Sequence, residues 1–204
     1  MNPSPFKAVL IGLSSLLLAG VASAADIEAG KEKTVVCQSC HGPDGNSANP
    51  IWPKLAGQHA SYILKQLREF KAGKRQDPTM QGMVAALTDE DMVNIAAYYQ
   101  SLALKAPANF DQALVAKGQD IYRGGIAETS VAACMGCHGP AGTGNGPAAY
   151  PSLNAQHPEY LVAQLKKFKD ASRNNDTGKM MRNVANRMSD QEMQAVAAYL
   201  AAMK

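Results

Sequence analysis

The chain has 204 residues, of which 46% are hydrophobic, and a formal net charge of +3 at pH 7. Its Lys and Arg residues form no basic stripe, which argues against a nucleic acid as a partner. Aromatic residues make up only 6% of the chain, so a core built from side chains alone would contain few large rings.

Residues 1–24 have the pattern of a secretory signal peptide. Lys7 precedes an apolar run from Ala8 to Val21, and the small residues Ala22 to Ala24 fit the cleavage rule. The run is shorter than the ~20 residues that a membrane-spanning helix needs. We therefore expect cleavage before Ala25 and export to the periplasm. Lys7 is the only charged residue lost, so the mature chain has a net charge of +2.

The first half of the mature chain contains three blocks with different patterns. The string CQSCH, Cys37 to His41, comes first. Trp52 to Lys71 follows, with apolar residues at helical spacing (Ile63, Leu67 and Phe70). The third block starts at Met80, in a predicted loop, and leads into a helix that begins with Thr88 as N-cap.

All three blocks recur in the second half. CQSCH returns as CMGCH at an offset of 97 residues, and the second and third blocks return at offsets of 98 and 101. In the last block Ser189 takes the place of Thr88, and Ser189 with Glu192 predicts a capping box. Strand-like alternation is absent. The sequence thus predicts an all-α protein of two similar domains, residues 25–103 and 111–204, joined by a Pro-containing linker at 104–110.

The Cys-x-x-Cys-His strings indicate covalent haem attachment. Residues i, i+3 and i+4 share one face of a helical turn, so two thioethers and an imidazole can hold one macrocycle. A redox-active disulfide leaves the histidine unexplained. A four-thiolate zinc or iron–sulfur site would need cysteines much farther apart than zinc ribbons use. We predict two haem c groups, attached through Cys37, Cys40, Cys134 and Cys137, with His41 and His138 as proximal iron ligands.

The second axial ligand decides between electron transfer and the binding of small molecules. Met80 and Met181 occupy the same place in the repeat and are the predicted ligands. Met180 is adjacent to Met181, so that choice rests on the repeat register. The matched pair His59 and His157 offers bis-histidine ligation as an alternative.

Several nearby residues have two interpretations. The carbonyls of Pro53 and Pro151 are suitable acceptors for the free N–H of each proximal histidine, or these prolines simply make rigid turns. Four aromatic residues either hydrogen-bond haem propionates or pack against the cofactor: Trp52, Tyr62, Tyr150 and Tyr160.

The chain resembles the dihaem class I cytochromes c of the cytochrome c4 family. The resemblance covers the whole mature chain and rests on EAGKEKTVVCQSCHG, WPKLAGQ and YRGG, in that order, as well as on the final helix. It implies two tandem class I cytochrome c domains, each with short helices wrapped around one haem and related by a pseudo-twofold axis. It also implies His/Met ligation by His41 with Met80 and by His138 with Met181.

The resemblance also implies an electron carrier, not an enzyme, in a respiratory chain. Redox proteins would be its partners: a quinol-oxidising complex or another donor, and a terminal oxidase as acceptor. Peripheral association with the membrane is possible in this family. Two other functions fit the same motifs, a dihaem cytochrome c peroxidase and the haem subunit of a dehydrogenase complex. A peroxidase would need one haem with an open face, whereas this sequence offers a methionine in both halves.

Overall fold

The computed structural model describes residues 24–203, which form two similar halves built from short helices. The predicted signal peptide therefore lies outside the described residues except for Ala24. The first half contains α1 (Ile27–Lys33), α2 (Gln38–His41), α3 (Ala60–Lys71), α4 (Pro78–Val84) and α5 (Asp89–Ser101). The second contains α6 (Val115–Gly124), α7 (Met135–His138), α8 (Pro158–Lys169), α9 (Met180–Ala185) and α10 (Asp190–Ala202). The all-α prediction is confirmed.

The first and last helices of each half cross at a glycine. A Cβ atom on Gly30 of α1 would lie 2.1 Å from the carbonyl oxygen of Asn94 in α5. A Cβ atom on Gly118 of α6 would lie 2.0 Å from the carbonyl oxygen of Ala195 in α10. Both distances are far inside van der Waals contact, so these crossings need a residue without a side chain.

Each half has its own hydrophobic core. The periodic residues of α3 are buried in the first core, together with Ile95 of α5. In the second core Leu161 and Phe168 of α8 pack with Val196 of α10. The helical spacing seen in the sequence is thus used to cover one face of α3 and one face of α8.

The predicted starts of the last helices are present. Thr88 and Ser189 cap α5 and α10, and each forms a capping box, with Asp91 and with Glu192 respectively. The prediction that the loop methionines lie outside helices is wrong. Met80 lies in α4, because Pro78 starts the helix and the Asp77 carboxylate accepts a hydrogen bond from the Met80 amide at 3.1 Å.

The predicted linker, residues 104–110, contains no helix and runs along the first half. The Lys105 amide donates to Asn46 Oδ1 at 2.9 Å, and the Asn46 side-chain amide donates to the Ala103 carbonyl at 3.0 Å. Pro107 is buried. Between residues 24 and 203, no helix is long and apolar enough to cross a membrane.

Candidate haem-binding sites

Helices α2 and α7 are single turns that carry the Cys-x-x-Cys-His strings. Each ends at a glycine with positive φ, Gly42 at 82° and Gly139 at 77°, where the chain turns sharply away. His41 and His138 are the last residues of these turns, and both are buried. The turn thus places the histidine behind the second cysteine and leaves little of its ring in contact with water.

Each buried histidine is fixed by a proline carbonyl. His41 Nδ1 lies 2.9 Å from the Pro53 oxygen, and His138 Nδ1 lies 3.0 Å from the Pro151 oxygen. A carbonyl only accepts, so Nδ1 carries the proton and Nε2 is left with its lone pair for a metal. Burial lowers the pKa of both imidazoles. Both are therefore neutral at pH 7, the state that a metal ligand requires.

The eight residues predicted to bind haem all line one cavity. Its volume is about 500 Å³, and it runs between the two halves. The lining includes Cys37, Cys40, His41 and Met80 from the first half and Cys134, Cys137, His138 and Met181 from the second. The structure therefore brings the predicted site residues of both halves to the walls of a single space.

The four cysteines are unpaired, and one in each half sits in apolar surroundings. Cys37 packs against the first core and Cys134 against the second. Burial raises the pKa of the Cys37 thiol and raises that of Cys134 to about 11. The raised pKa values of Cys37 and Cys134 do not suit a thiolate metal cluster, and within residues 24–203 no group of three or more His, Cys, Asp or Glu side chains could hold a metal ion by itself.

The candidate methionines differ in their exposure to solvent. Met80 and Met181 are half-buried and pack against the cores of their own halves. By contrast, Met83 is 37% exposed and Met180 is 38% exposed. The Met180 sulfur also lies 3.7 Å from the Tyr150 hydroxyl, which can donate to it. Met92 and Met193, another matched pair, lie in the last helices and are buried in the cores, so they are not available as ligands.

His59 and His157 take part in a different set of contacts. His59 Nε2 lies 2.6 Å from the Thr143 carbonyl oxygen of the other half, and His157 Nε2 lies 2.8 Å from the Ser47 carbonyl oxygen. Neither ring lines the cavity. The structure therefore favours methionine over the bis-histidine alternative, and the two histidines instead join the halves.

Two arginines at the cavity were not predicted from the sequence. Arg75 donates to Tyr160 at 3.3 Å and to Gln164 at 3.0 Å, whereas Arg173 donates to Tyr62 at 2.9 Å. Neither guanidinium forms a salt bridge in the part of the chain that the structure describes. The two lie 98 positions apart, the offset of the surrounding repeat, and an alignment of the two halves would have paired them.

These features fit a haem in each half. The Tyr99 hydroxyl is buried at the cavity beside the Cys37 thiol and makes no hydrogen bond of normal geometry among the described residues, so a bound group would satisfy it. Two arginines without carboxylates suit the propionates of the cofactor. Tyr62 and Tyr160 bond to these arginines, whereas Trp52 and Tyr150 line the cavity wall. The remaining walls are mostly apolar, as a porphyrin requires.

The model of the cytochrome c family matches the chain twice, at residues 27–103 and 115–204. Cytochrome c4 from Thiocapsa roseopersicina is 50% identical over 177 residues, which are 86% of this chain and 91% of that protein. The chain belongs to the cytochrome c4 family. The structure of reduced recombinant cytochrome c4 from Pseudomonas stutzeri matches with a TM-score of 0.85 and 40% identity, over 89% of this chain and all of that one.

A further relative has a name that describes a partner. The thiosulfate dehydrogenase electron acceptor of Stutzerimonas stutzeri is 38% identical and covers 94% of this chain and 93% of its own. Membership of the cytochrome c4 family means that the chain consists of two tandem cytochrome c domains with covalently bound haem c. It is a dihaem electron-transfer protein, and its partners are redox proteins.

Proposed function

We propose that this cytochrome c4 is a periplasmic electron carrier, not an enzyme, whose two haems are closed to external ligands. Cys37, Cys40, His41 and Met80 would hold the haem of the N-terminal domain, residues 25–103. The equivalent residues of the C-terminal domain, residues 111–204, are Cys134, Cys137, His138 and Met181. One observation carries the proposal: both halves place the same four residues on the cavity wall, with the histidine buried and neutral.

The cofactor supplies a one-electron Fe(III)/Fe(II) couple when bound. The chain's own residues determine what that couple is used for. Pro53 and Pro151 fix the orientation of the histidines, and Met80 and Met181, half-buried against the cores, would hold the haem from the other side and restrict the access of water to it. A site that is rigid and saturated in this way changes little between oxidation states, which favours electron exchange over catalysis at the metal.

Met181 is the proposed ligand in the C-terminal domain, ahead of its neighbour Met180. Met181 is half-buried against the core, as Met80 is, whereas Met180 is exposed and has the Tyr150 hydroxyl beside its sulfur. The repeat register supports the same choice.

The physiological setting follows from the predicted signal peptide at residues 1–24 and from the family. We propose that the protein takes electrons from a quinol-oxidising complex and delivers them towards a terminal oxidase, in the periplasm and with possible peripheral attachment to the membrane. The thiosulfate dehydrogenase acceptor supports a second candidate, in which the donor is a periplasmic dehydrogenase that oxidises a sulfur compound. Either donor would pass its electrons to the same two haem sites.

The test is to change each methionine in the holoprotein and to record its spectrum. Met80→Ala and Met181→Ala should each abolish the Met-to-iron charge-transfer band of one haem and create a high-spin, cyanide-binding fraction of about half. The loss of the strong axial ligand opens that iron to water. Met83→Ala and Met180→Ala serve as matched controls, which should leave both haems low-spin.

Three results would count against the proposal. A wild-type protein with one high-spin haem that reacts with peroxide would indicate a dihaem peroxidase. Loss of the charge-transfer band in Met180→Ala in place of Met181→Ala would move the ligand by one residue. Haem that is extracted by acidic acetone would exclude thioether attachment.

A further inference from the structure

Two buried glutamines reach across the boundary between the domains. Gln58 and Gln156 immediately precede His59 and His157, and each is only 7% exposed. The Gln156 side chain pairs with both backbone groups of Lys54: Oε1 accepts from the Lys54 amide at 2.9 Å, and Nε2 donates to the Lys54 carbonyl at 3.0 Å. Gln58 makes the same two bonds to Ser152, both at 2.9 Å.

These pairings touch the peptide groups that hold the proximal histidines. The amide N–H of Lys54 belongs to the same peptide unit as the carbonyl of Pro53, which accepts the hydrogen bond from His41. Likewise, the amide of Ser152 and the carbonyl of Pro151 belong to one peptide unit, and this carbonyl accepts the hydrogen bond from His138. Each histidine is therefore linked, through one peptide group and two hydrogen bonds, to a glutamine of the opposite domain.

The two hydrogen bonds of one peptide group reinforce each other. When the N–H of a peptide donates, its carbonyl oxygen becomes more negative and accepts more strongly, and the effect is larger in a buried environment. A stronger acceptor at Nδ1 draws the proton away from the ring and makes Nε2 a more basic ligand. A more basic ligand stabilises the ferric state, so the glutamine lowers the reduction potential of the haem in the other domain.

We propose that Gln156 is a positioning residue for His41 and Gln58 for His138, so that each domain adjusts the reduction potential of the haem in its partner domain. This inference rests on the proposed histidine ligation. It predicts a crossed effect, in which a substitution in one domain changes the other domain's haem and leaves its own unchanged.

The experiment is Gln156→Leu in the holoprotein, a change that removes both hydrogen-bonding groups and keeps a side chain of similar size. A redox titration followed by NMR resolves the two haems through their methyl signals. The N-terminal haem should become easier to reduce by up to about tenfold in its equilibrium constant, since loss of a direct partner of a metal ligand changes metal affinity by about 10–100-fold and Gln156 acts one hydrogen bond farther away. A tenfold change is about 59 mV for a one-electron couple. The C-terminal haem should not shift.

The reciprocal variant, Gln58→Leu, should shift only the C-terminal haem, and it keeps the test open if Gln156→Leu does not fold. His157→Phe is the matched control for Gln156→Leu. It removes the neighbouring interdomain bond to the Ser47 carbonyl but leaves the Pro53–Lys54 peptide untouched. Ser61→Ala, which removes the bond to the Gly146 carbonyl, is the corresponding control for Gln58→Leu.

Hydrogen exchange of the Lys54 amide reports directly on the bond. Faster exchange in Gln156→Leu together with an unchanged N-terminal potential would overturn the inference, as would equal shifts in His157→Phe. Failure of the proposed function is a separate result. It would appear in the wild-type NMR spectrum as the absence of shifted signals from the His41 and Met80 side chains.

Discussion

At the scale of single residues, the two haem sites differ in charge at the position after the histidine-binding proline. Lys54 occupies it in the N-terminal domain and Ser152 in the C-terminal domain. Lys54 is only 4% exposed, and its ammonium group donates to the Lys105 carbonyl. Burial lowers the pKa of this ammonium group, because charge is costly away from water. A cation fixed at the cavity favours the less positive, reduced iron.

We therefore expect Lys54→Ser to lower the reduction potential of the N-terminal haem. The loss of one buried positive charge near the cofactor should lower this potential by an amount on the order of tens of millivolts for one electron. The backbone groups that pair with Gln156 remain in this variant, so only the charge changes. An NMR-monitored redox titration measures the shift.

Lys105→Ser is the matched control. The Lys105 side chain is 70% exposed, so solvent and salt screen its charge, and its removal should have a much smaller effect. Equal shifts in both variants, or a rise in potential for Lys54→Ser, would contradict the role assigned to the buried charge.

At the scale of helices, each domain is organised by the crossing of its first and last helix. Gly118 of α6 sits directly against the backbone of α10, whereas a Cβ atom on Gly124, at the end of the same helix, would meet no atom within 4 Å. The same helix thus contains one glycine that packing requires and one that it does not.

Gly118→Ala should destabilise the holoprotein by about 1–3 kcal/mol, because the new methyl group forces α6 away from α10. Gly124→Ala should be neutral or stabilise by up to ~1 kcal/mol, since alanine is the better helix former. Thermal or denaturant unfolding followed by far-UV circular dichroism measures both. The packing account fails if the two variants have the same stability.

At the scale of the whole molecule, the domains are joined by bonds that occur in matched pairs. Three pairs of equivalent residues form hydrogen bonds with the opposite domain: Gln58 with Gln156, His59 with His157, and Arg75 with Arg173. An approximate twofold axis between the domains produces such reciprocal contacts. The cavity lies between the same two domains, so the cofactors and the interface share residues.

Removal of the haems should therefore unfold the protein. Domains of under about one hundred residues bury little apolar surface unaided, and the cofactors would fill a cavity of about 500 Å³. Cleavage of the thioether bonds with a silver salt should abolish most of the helical circular dichroism. An apoprotein that keeps its helices and a cooperative thermal transition would show that the polypeptide core is sufficient.

The sequence alone determined the helical class, the duplication and the identity of the haem motifs. Each of these is a local or periodic property: three residues of one helical turn, apolar residues on one helix face, and blocks that recur along the chain. For Pro53 and Pro151 the sequence left two interpretations open, a carbonyl acceptor or a rigid turn, and the structure shows the acceptor. The assignment of Met80 and Met181 remains a prediction from the repeat register, even though both line the cavity.

Only the tertiary structure decided what joins the two halves. The short helices around Met80 and Met181 were missed, because a helix of six or seven residues has little periodicity to detect. The roles of Gln58, Gln156, Arg75 and Arg173 were missed for a different reason. Their partners in the opposite domain lie 85 to 111 positions away, and hydrogen bonds over such separations exist only once two folded domains have docked.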